Sequence, residues 1–269
     1  MSINKLLIKS KKRVFSAISG NHISNIRGEG LDFFELKEYE VGDNTKNINW
    51  KVSAKKSNPF VNVYNEEKEL NILAVVLCSG NLHFGSQVLK QDYIVELVSL
   101  LGFSALSLQD RFSCLGFSDK EEFFCKPSKK EAVVYESVKN VSEINLLEKV
   151  VDFKKLTTNI MNRLKQRSIV FLIGDFLEDE IELLVMSKKH EVIVLDIKDK
   201  IEESISKIPI DTLVDPVLLQ EVKDVNFSKY VEFIQAKESR NREYFNKCAI
   251  KYIKLYTDED PFVRLGKKL

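Results

Sequence analysis

This chain of 269 residues lacks a net field: 41 Lys and Arg stand against 40 Asp and Glu, a balance of +1. Nothing global draws it to nucleic acid, and no nucleic-acid partner is expected. Long hydrophobic runs are also missing. The longest apolar stretches, Ile72–Cys78 and Ile169–Ile173, are strand-length, whereas a membrane-spanning helix needs about 20 apolar residues. The N-terminus shows no apolar signal region with a small-residue cleavage site, so no secretory leader is expected. Cys78, Cys114, Cys125 and Cys248 are spread widely without a C-x-x-C pair. Buried free thiols in a reducing cytoplasm are therefore expected rather than a metal or redox pair. Neither a G-x-G-x-x-G nor a G-x-x-x-x-G-K-[ST] phosphate cradle occurs at the first strand end. No H-E-x-x-H and no G-x-S-x-G elbow is present. Nucleotide binding by this chain is not expected, and no enzyme class has its full set of groups.

What is there falls into three parts, residues 1–27, 28–70 and 71–269. The first holds Lys5, Lys9, Lys11, Lys12, Arg13 and Arg27 and no acid. Ile3, Leu6, Leu7, Val14, Phe15 and Ile18 recur at helical spacing, which predicts a basic amphipathic helix. Such a helix either packs its apolar stripe on the body or rests on an anionic membrane surface. The second part reads as loops and strands. Phe33, Phe34, Leu36, Tyr39 and Val41 supply strand material, and Gly42-Asp43-Asn44 signals a turn.

From Asn71 onward strands alternate with helices. The pattern predicts strands at Ile72–Cys78, Phe112–Phe117, Glu122–Lys126, Ser168–Ile173, Val192–Ile197 and Ala249–Leu255. It predicts helices over Ser86–Leu108, from a capping box at Ser128-x-x-Glu131, over Glu178–Lys189 and over Ser228–Cys248. This is the signature of an α/β class, a doubly wound, mostly parallel sheet, with one antiparallel hairpin at Ser118-Asp119. Ligands of such sheets sit beyond the strand ends at the switch point, here Leu77–Asn81 and Gly174–Phe176. Ser79, His83 and Asp175 are the groups there that a metal-assisted hydrolase would use, although no partner base can be named.

The stretch Arg27-Gly28-Glu29-Gly30-Leu31-Asp32-Phe33, with Leu36-Lys37-Glu38-Tyr39, Gly42-Asp43, Ile48-Asn49-Trp50-Lys51 and Ser53-Ala54-Lys55, is dense in spaced motifs. It resembles the signature of a bacterial domain-of-unknown-function family, number fifty-eight. The remainder is similar to the von Willebrand factor A-like domain that follows this signature in the family. The resemblance implies a small β-rich signature domain, residues 28–70, before an A-like sheet. It also implies a non-enzymatic cytoplasmic interaction module, an adaptor or co-chaperone for a MoxR-type AAA+ ATPase. Gly28, Gly30, Phe33, Tyr39, Gly42, Asp43, Trp50, Lys51 and Lys55 are its candidate partner-binding residues. Lys37, Lys46 and Lys55 replace family arginines, keeping charge but losing a bidentate fork.

A-like domains that bind Mg²⁺ use D-x-S-x-S after the first strand plus a Thr and a late Asp. The matching residues here are Leu77, Ser79, Asn81 and Asp175, with Thr157 or Thr158 as the threonine. With its leading carboxylate gone, the set Ser79, Asn81 and Asp175 is expected to be a degenerate metal site, empty in the isolated protein and at most a weak Mg²⁺ binder.

Overall fold

In the computed structural model, Ile72, Ala74 and Val76 of the first sheet strand enter one buried cluster, and Leu73, Val75 and Leu77 enter another. That period of two, apolar on both faces, is why the run reads as unbroken hydrophobic sequence. The structure describes residues 3–21, 32–56, 58–65, 69–204, 212–214, 221–223 and 227–266. They belong to two compact units, Met1–Ile18 with Leu70–Leu269, and Ser19–Glu69.

The chain opens with helix α1 (Ile3–Asn21), whose Leu7 and Val14 are buried in the larger unit's core. Its cations pair with that same body: Lys9 with Glu96, Lys11 with Glu131, and Arg13 with Asp260 at 2.7 Å. Arg13 also lies over the Phe262 ring. The amphipathic reading of this segment therefore describes a helix that packs.

In the smaller unit β1 (Asp32–Glu38) is followed by a short helix α2 (Trp50–Lys56) and by β2 (Phe60–Asn65), which pairs antiparallel to β1. The helix was not evident from the β-branched and aromatic composition around it. It forms because Asn49 caps it: its Oδ1 accepts from Val52 N at 3.2 Å.

The larger unit runs β3 (Asn71–Leu77), α3 (Lys90–Ser107), β4 (Arg111–Phe117), β5 (Glu121–Ser128), α4 (Ala132–Glu143), α5 (Phe153–Arg163), β6 (Ile169–Gly174), α6 (Leu184–Lys189), β7 (Glu191–Lys198), α7 (Lys200–Ser204), β8 (Thr212–Val214), β9 (Glu221–Lys223), α8 (Phe227–Lys247), β10 (Lys251–Tyr256) and α9 (Pro261–Gly266). Its six-stranded sheet has the order β10-β7-β6-β3-β4-β5, parallel throughout except for β5, which turns back antiparallel on β4. This is the doubly wound, mostly parallel α/β architecture that the alternation predicts. Residues of α3 and α4 fill one face; residues of α5, α6 and α8 fill the other. The chain leaves β3 first toward β4 and then returns to β6 on the opposite side. The ends of β3 and β6 therefore define the switch point.

Three helix starts differ from the sequence reading, each for a tertiary reason. Helix α3 begins at Lys90 rather than Ser86, because the backbone N and Oγ of Ser86 both donate to the Asp199 carboxylate. Ser128 is no helix cap: it ends β5 opposite Phe112, and its Oγ accepts from Lys130 N. Residues 178–183 are not helical. Their neighbourhood is held by α8, where Asn241 donates to the Phe176 carbonyl and Lys237 binds the Leu177 carbonyl and the Asp179 carboxylate.

Gly174 ends β6 where β3 passes closest. A Cβ there would lie 2.8 Å from Leu77 Cβ, inside any normal contact. Gly174→Ala is expected to lower stability by about 1–3 kcal/mol through overpacking, measured as a fall in the urea midpoint. An unchanged midpoint would show that Leu77 moves aside freely.

Candidate functional site

The signature residues divide into those that build the smaller unit and those that face outward. Gly28 and Gly30 lie outside the described residues. Phe33 sits in β1 at the irregular register between Phe33 and Glu35. Tyr39 is half-buried, and its backbone N donates to the Pro59 carbonyl at 2.8 Å. Gly42 has φ +116°, a conformation that side chains other than glycine's rarely adopt. Asp43 Oδ2 accepts from Glu40 N at 2.9 Å, and Oδ1 pairs with Lys37 Nζ at 2.8 Å. That pairing raises the Lys37 ammonium and lowers the Asp43 carboxyl from their usual values. Lys37 thus keeps a charge partner with one ammonium where an arginine would present a fork.

Ser53 is the buried pin of α2: its Oγ donates to the Asn49 carbonyl at 2.8 Å and accepts from Phe60 N at 2.9 Å. Around this pin the opposite choice was made. Trp50 is 72% exposed, although its size would place it in a core. Lys51 and Lys55 are exposed as well, as are Lys46 and Val41. An exposed indole and exposed lysines, on a helix held through Asn49 and Ser53, are the outward half of the signature.

The second candidate face is the switch point. Ser79, Asn81 and Asp175 all lie at the adjoining ends of β3 and β6, as the topology requires. Ser79 and Asn81 line a cavity of about 570 Å³ bounded by residues 149–154 and 177–182. Asp175 is buried, and neither of its carboxylate oxygens has a hydrogen-bond donor among the described residues. Its nearest charge is the Lys90 ammonium, 3.7 Å from Oδ2. Lys90 is completely buried and donates to Glu202 Oε1 at 2.7 Å. A second buried ammonium, Lys198, contacts Asp196 at 3.2 Å and donates to the Asp175 carbonyl.

Carboxylates knit this layer together. Asp199 accepts from Ser86 N, Ile201 N and Thr257 Oγ1. Burial pushes the Asp199 carboxyl up, but these donated bonds outweigh it and hold it below its usual value. Glu202 Oε2 accepts from Asp199 N at 2.9 Å. Asp196 accepts from the Tyr252 hydroxyl at 2.6 Å, yet burial still raises its carboxyl. Lys90, Lys198, Asp196, Asp199 and Glu202 were not evident as site residues. The one local signal is the run Asp196-Ile-Lys198-Asp199, charged residues directly after an apolar strand.

A divalent cation does not fit these residues. The leading ligand position is Leu77, a buried core side chain, and the single carboxylate of the expected set already faces an ammonium. Thr157 Oγ1 donates to the Glu182 carbonyl and Thr158 Oγ1 to the Lys154 carbonyl, each spent within α5 or its neighbouring loop. Among the described residues no group of three or more His, Cys, Asp or Glu is arranged to hold a metal. Mg²⁺ sheds its water reluctantly and needs anionic oxygens to do so; a buried monovalent cation takes that electrostatic place here. Nor do Ser79, His83 and Asp175 form a relay. His83 is exposed, and no hydrogen bond joins the three.

Beside this layer Glu178 lines the cavity, with Oε2 buried and unpartnered. Burial, and then the nearby Asp175 charge, push its carboxyl up to about 8.

The larger unit is a doubly wound, mostly parallel α/β sheet with its candidate face at the strand ends, and a small strand-and-helix unit stands beside it in the chain. The chain belongs to DUF58, a family described as proteins of unknown function, whose model matches residues 35–243. Protein Rv1480 of Mycobacterium tuberculosis, named as uncharacterized, is 27% identical over 103 residues, covering 38% of this chain and 32% of that protein. The chain therefore spans about a third of the curated relative it matches. Among solved structures, conserved hypothetical protein BatB from Bacteroides thetaiotaomicron overlays 74% of this chain and 95% of its own, with 11% identity and a TM-score of 0.48. The SpRpn10 VWA domain overlays 74% and 95% at 8% identity with a TM-score of 0.42. Among the described residues, no helix is long and apolar enough to cross a membrane.

Two outcomes follow from the strand-end layer. Lys90→Met strands Asp175 and Glu202 without their shared cation and is expected to cost about 3–5 kcal/mol in chemical denaturation. Millimolar Mg²⁺ is expected to leave the wild-type Tm unchanged; a rise in Tm with Mg²⁺ would contradict this electrostatic account. The raised Glu178 value means that folding favours its protonated form. Its contribution is complete below about 4.5 and is lost as pH rises through about 8. Glu178→Gln should therefore leave Tm unchanged near pH 4.5 and raise it by several degrees near pH 9. An equal effect at both pH values would show that Glu178 does not titrate in this way.

Proposed function

We propose that this chain is a non-enzymatic interaction module, an adaptor or co-chaperone that works in the cytoplasm with a MoxR-type AAA+ ATPase. In this reading ATP hydrolysis belongs to the partner, and this chain presents a client or transmits remodelling. The observation that carries the proposal is the outward half of the signature: Trp50, Lys51 and Lys55 all exposed on a helix pinned by Asn49 and Ser53. Burying an exposed tryptophan contributes heavily at protein interfaces, where Trp is among the commonest energetic anchors. The surrounding lysines suit an acidic rim on the partner and steer encounter. The MoxR-type partner is suggested by the resemblance of the signature; DUF58 itself is described only as a family of unknown function. The incomplete set at Ser79, His83 and Asp175 gives a catalytic alternative no support.

The test is affinity purification of the tagged chain from its native host, with and without ATP. A MoxR-type ATPase is expected in the eluate. Trp50→Ala or the pair Lys51→Glu and Lys55→Glu should reduce its recovery about tenfold while leaving Tm within a degree of wild type. Equal recovery with the variants would overturn the assigned surface. Absence of any such ATPase in both nucleotide states would overturn the partnership.

A further inference from the structure

The cavity beside Ser79 presents unpartnered acceptors and more carboxylates than ammonium groups. Ser79 is 2% exposed, lines the cavity, and its Oγ has no hydrogen-bond partner. Glu178 Oε2 is likewise buried, unpartnered and on the lining. A buried oxygen left without a donor is costly in a finished structure, so it marks a place where a donor arrives from elsewhere. The rest of the lining sets the sign of that donor. Asp152 is paired with Lys155 and Asp179 with Lys237; Glu180, Glu182 and, once ionised, Glu178 stand with them against two ammonium groups, Lys149 and Lys154. Lys149 is already paired with Glu122.

We propose that this cavity receives an arginine side chain from a partner protein. The guanidinium is planar, always charged, and carries five N–H donors, which suits several acceptors fixed at separate points. It needs no second ligand shell and no stripping of tightly held water. An acidic side chain would instead meet like charge on most of the rim. A divalent ion would face the Lys90 and Lys198 ammoniums in the layer beneath without the leading carboxylate it requires. The strand-end face thereby exchanges the usual logic of an A-like domain. The fixed cation is internal, and the incoming group is basic. This inference goes beyond the ATPase partnership and concerns a different unit of the chain from the Trp50 surface, so either can fail alone.

The full chain, ¹⁵N-labelled, is titrated at pH 9, where Glu178 is ionised, with three probes: Ac-Gly-Arg-Gly-NH₂, Ac-Gly-Glu-Gly-NH₂ and MgCl₂. The arginine peptide is expected to give saturable amide shifts confined to residues 79–81, 149–154 and 177–182. Ser79→Ala and, separately, Glu178→Gln should each weaken that binding about fivefold or more; the second preserves shape should the first perturb folding. Saturable shifts at these residues from the glutamate peptide or from Mg²⁺ would overturn the proposal. So would the absence of saturable shifts with the arginine peptide, or equal affinity in both variants.

Discussion

The larger unit depends on one buried contact, the Lys90 ammonium held between Glu202 and Asp175. Each of these groups comes from a different part of the chain: the first turn of α3, the helix α7, and the residue following β6. Removing such charges from water costs several kcal/mol apiece, so each persists only beside an opposite charge. That requirement recruits the rest of the layer. Glu202 receives the Asp199 amide, Asp199 receives Ser86 and Thr257, and Lys198 closes onto Asp196 and the Asp175 carbonyl. The ends of β6, β7 and β10 are thus tied by polar contacts to α7, the first turn of α3 and the loop before it, where the apolar core stops.

This layer decides what the strand-end face can bind. With an internal cation in place and Leu77 where a carboxylate would be needed, the face is suited to partners that bring positive charge, not to a metal-bridged acid. The signature unit follows a different design. Asn49 and Ser53 spend their polar groups locally, which frees Trp50, Lys51 and Lys55 to face solvent. The chain thereby offers two surfaces, one carrying exposed lysines beside Trp50 and one lined by more carboxylates than ammonium groups.

How much of this was legible in the sequence depends on the range of the forces involved. The apolar runs at Ile72–Cys78 and Ile169–Ile173 announce central strands because burial on both faces is a local compositional demand. The antiparallel β4–β5 hairpin was legible from its short turn. The starts of α3 and α4 were not, since Ser86 is taken by Asp199, 113 residues away, and Ser128 completes a strand pair with Phe112. Residues 178–183 have helical composition, yet the side chains of Lys237 and Asn241 hold the preceding loop in another form. The position of Ser79, Asn81 and Asp175 at the strand ends follows from the apolar runs that precede them. Lys90 was not, because a lysine opening a helix reads as solvated until the fold sets Glu202 against it. The exposure of Trp50 was equally hidden, being a property of what does not cover it.

The account's central claim is that Lys90 supplies the positive charge that a divalent ion would otherwise bring to Asp175. Crystals of the full chain soaked in MnCl₂, with diffraction collected at the manganese edge, test it directly. The account predicts no anomalous peak within coordination distance, about 2–2.5 Å, of Asp175, Ser79 or Asn81, and Lys90 Nζ still seated between Asp175 and Glu202. A manganese peak bonded to Asp175 and Ser79, with Lys90 displaced, would contradict it.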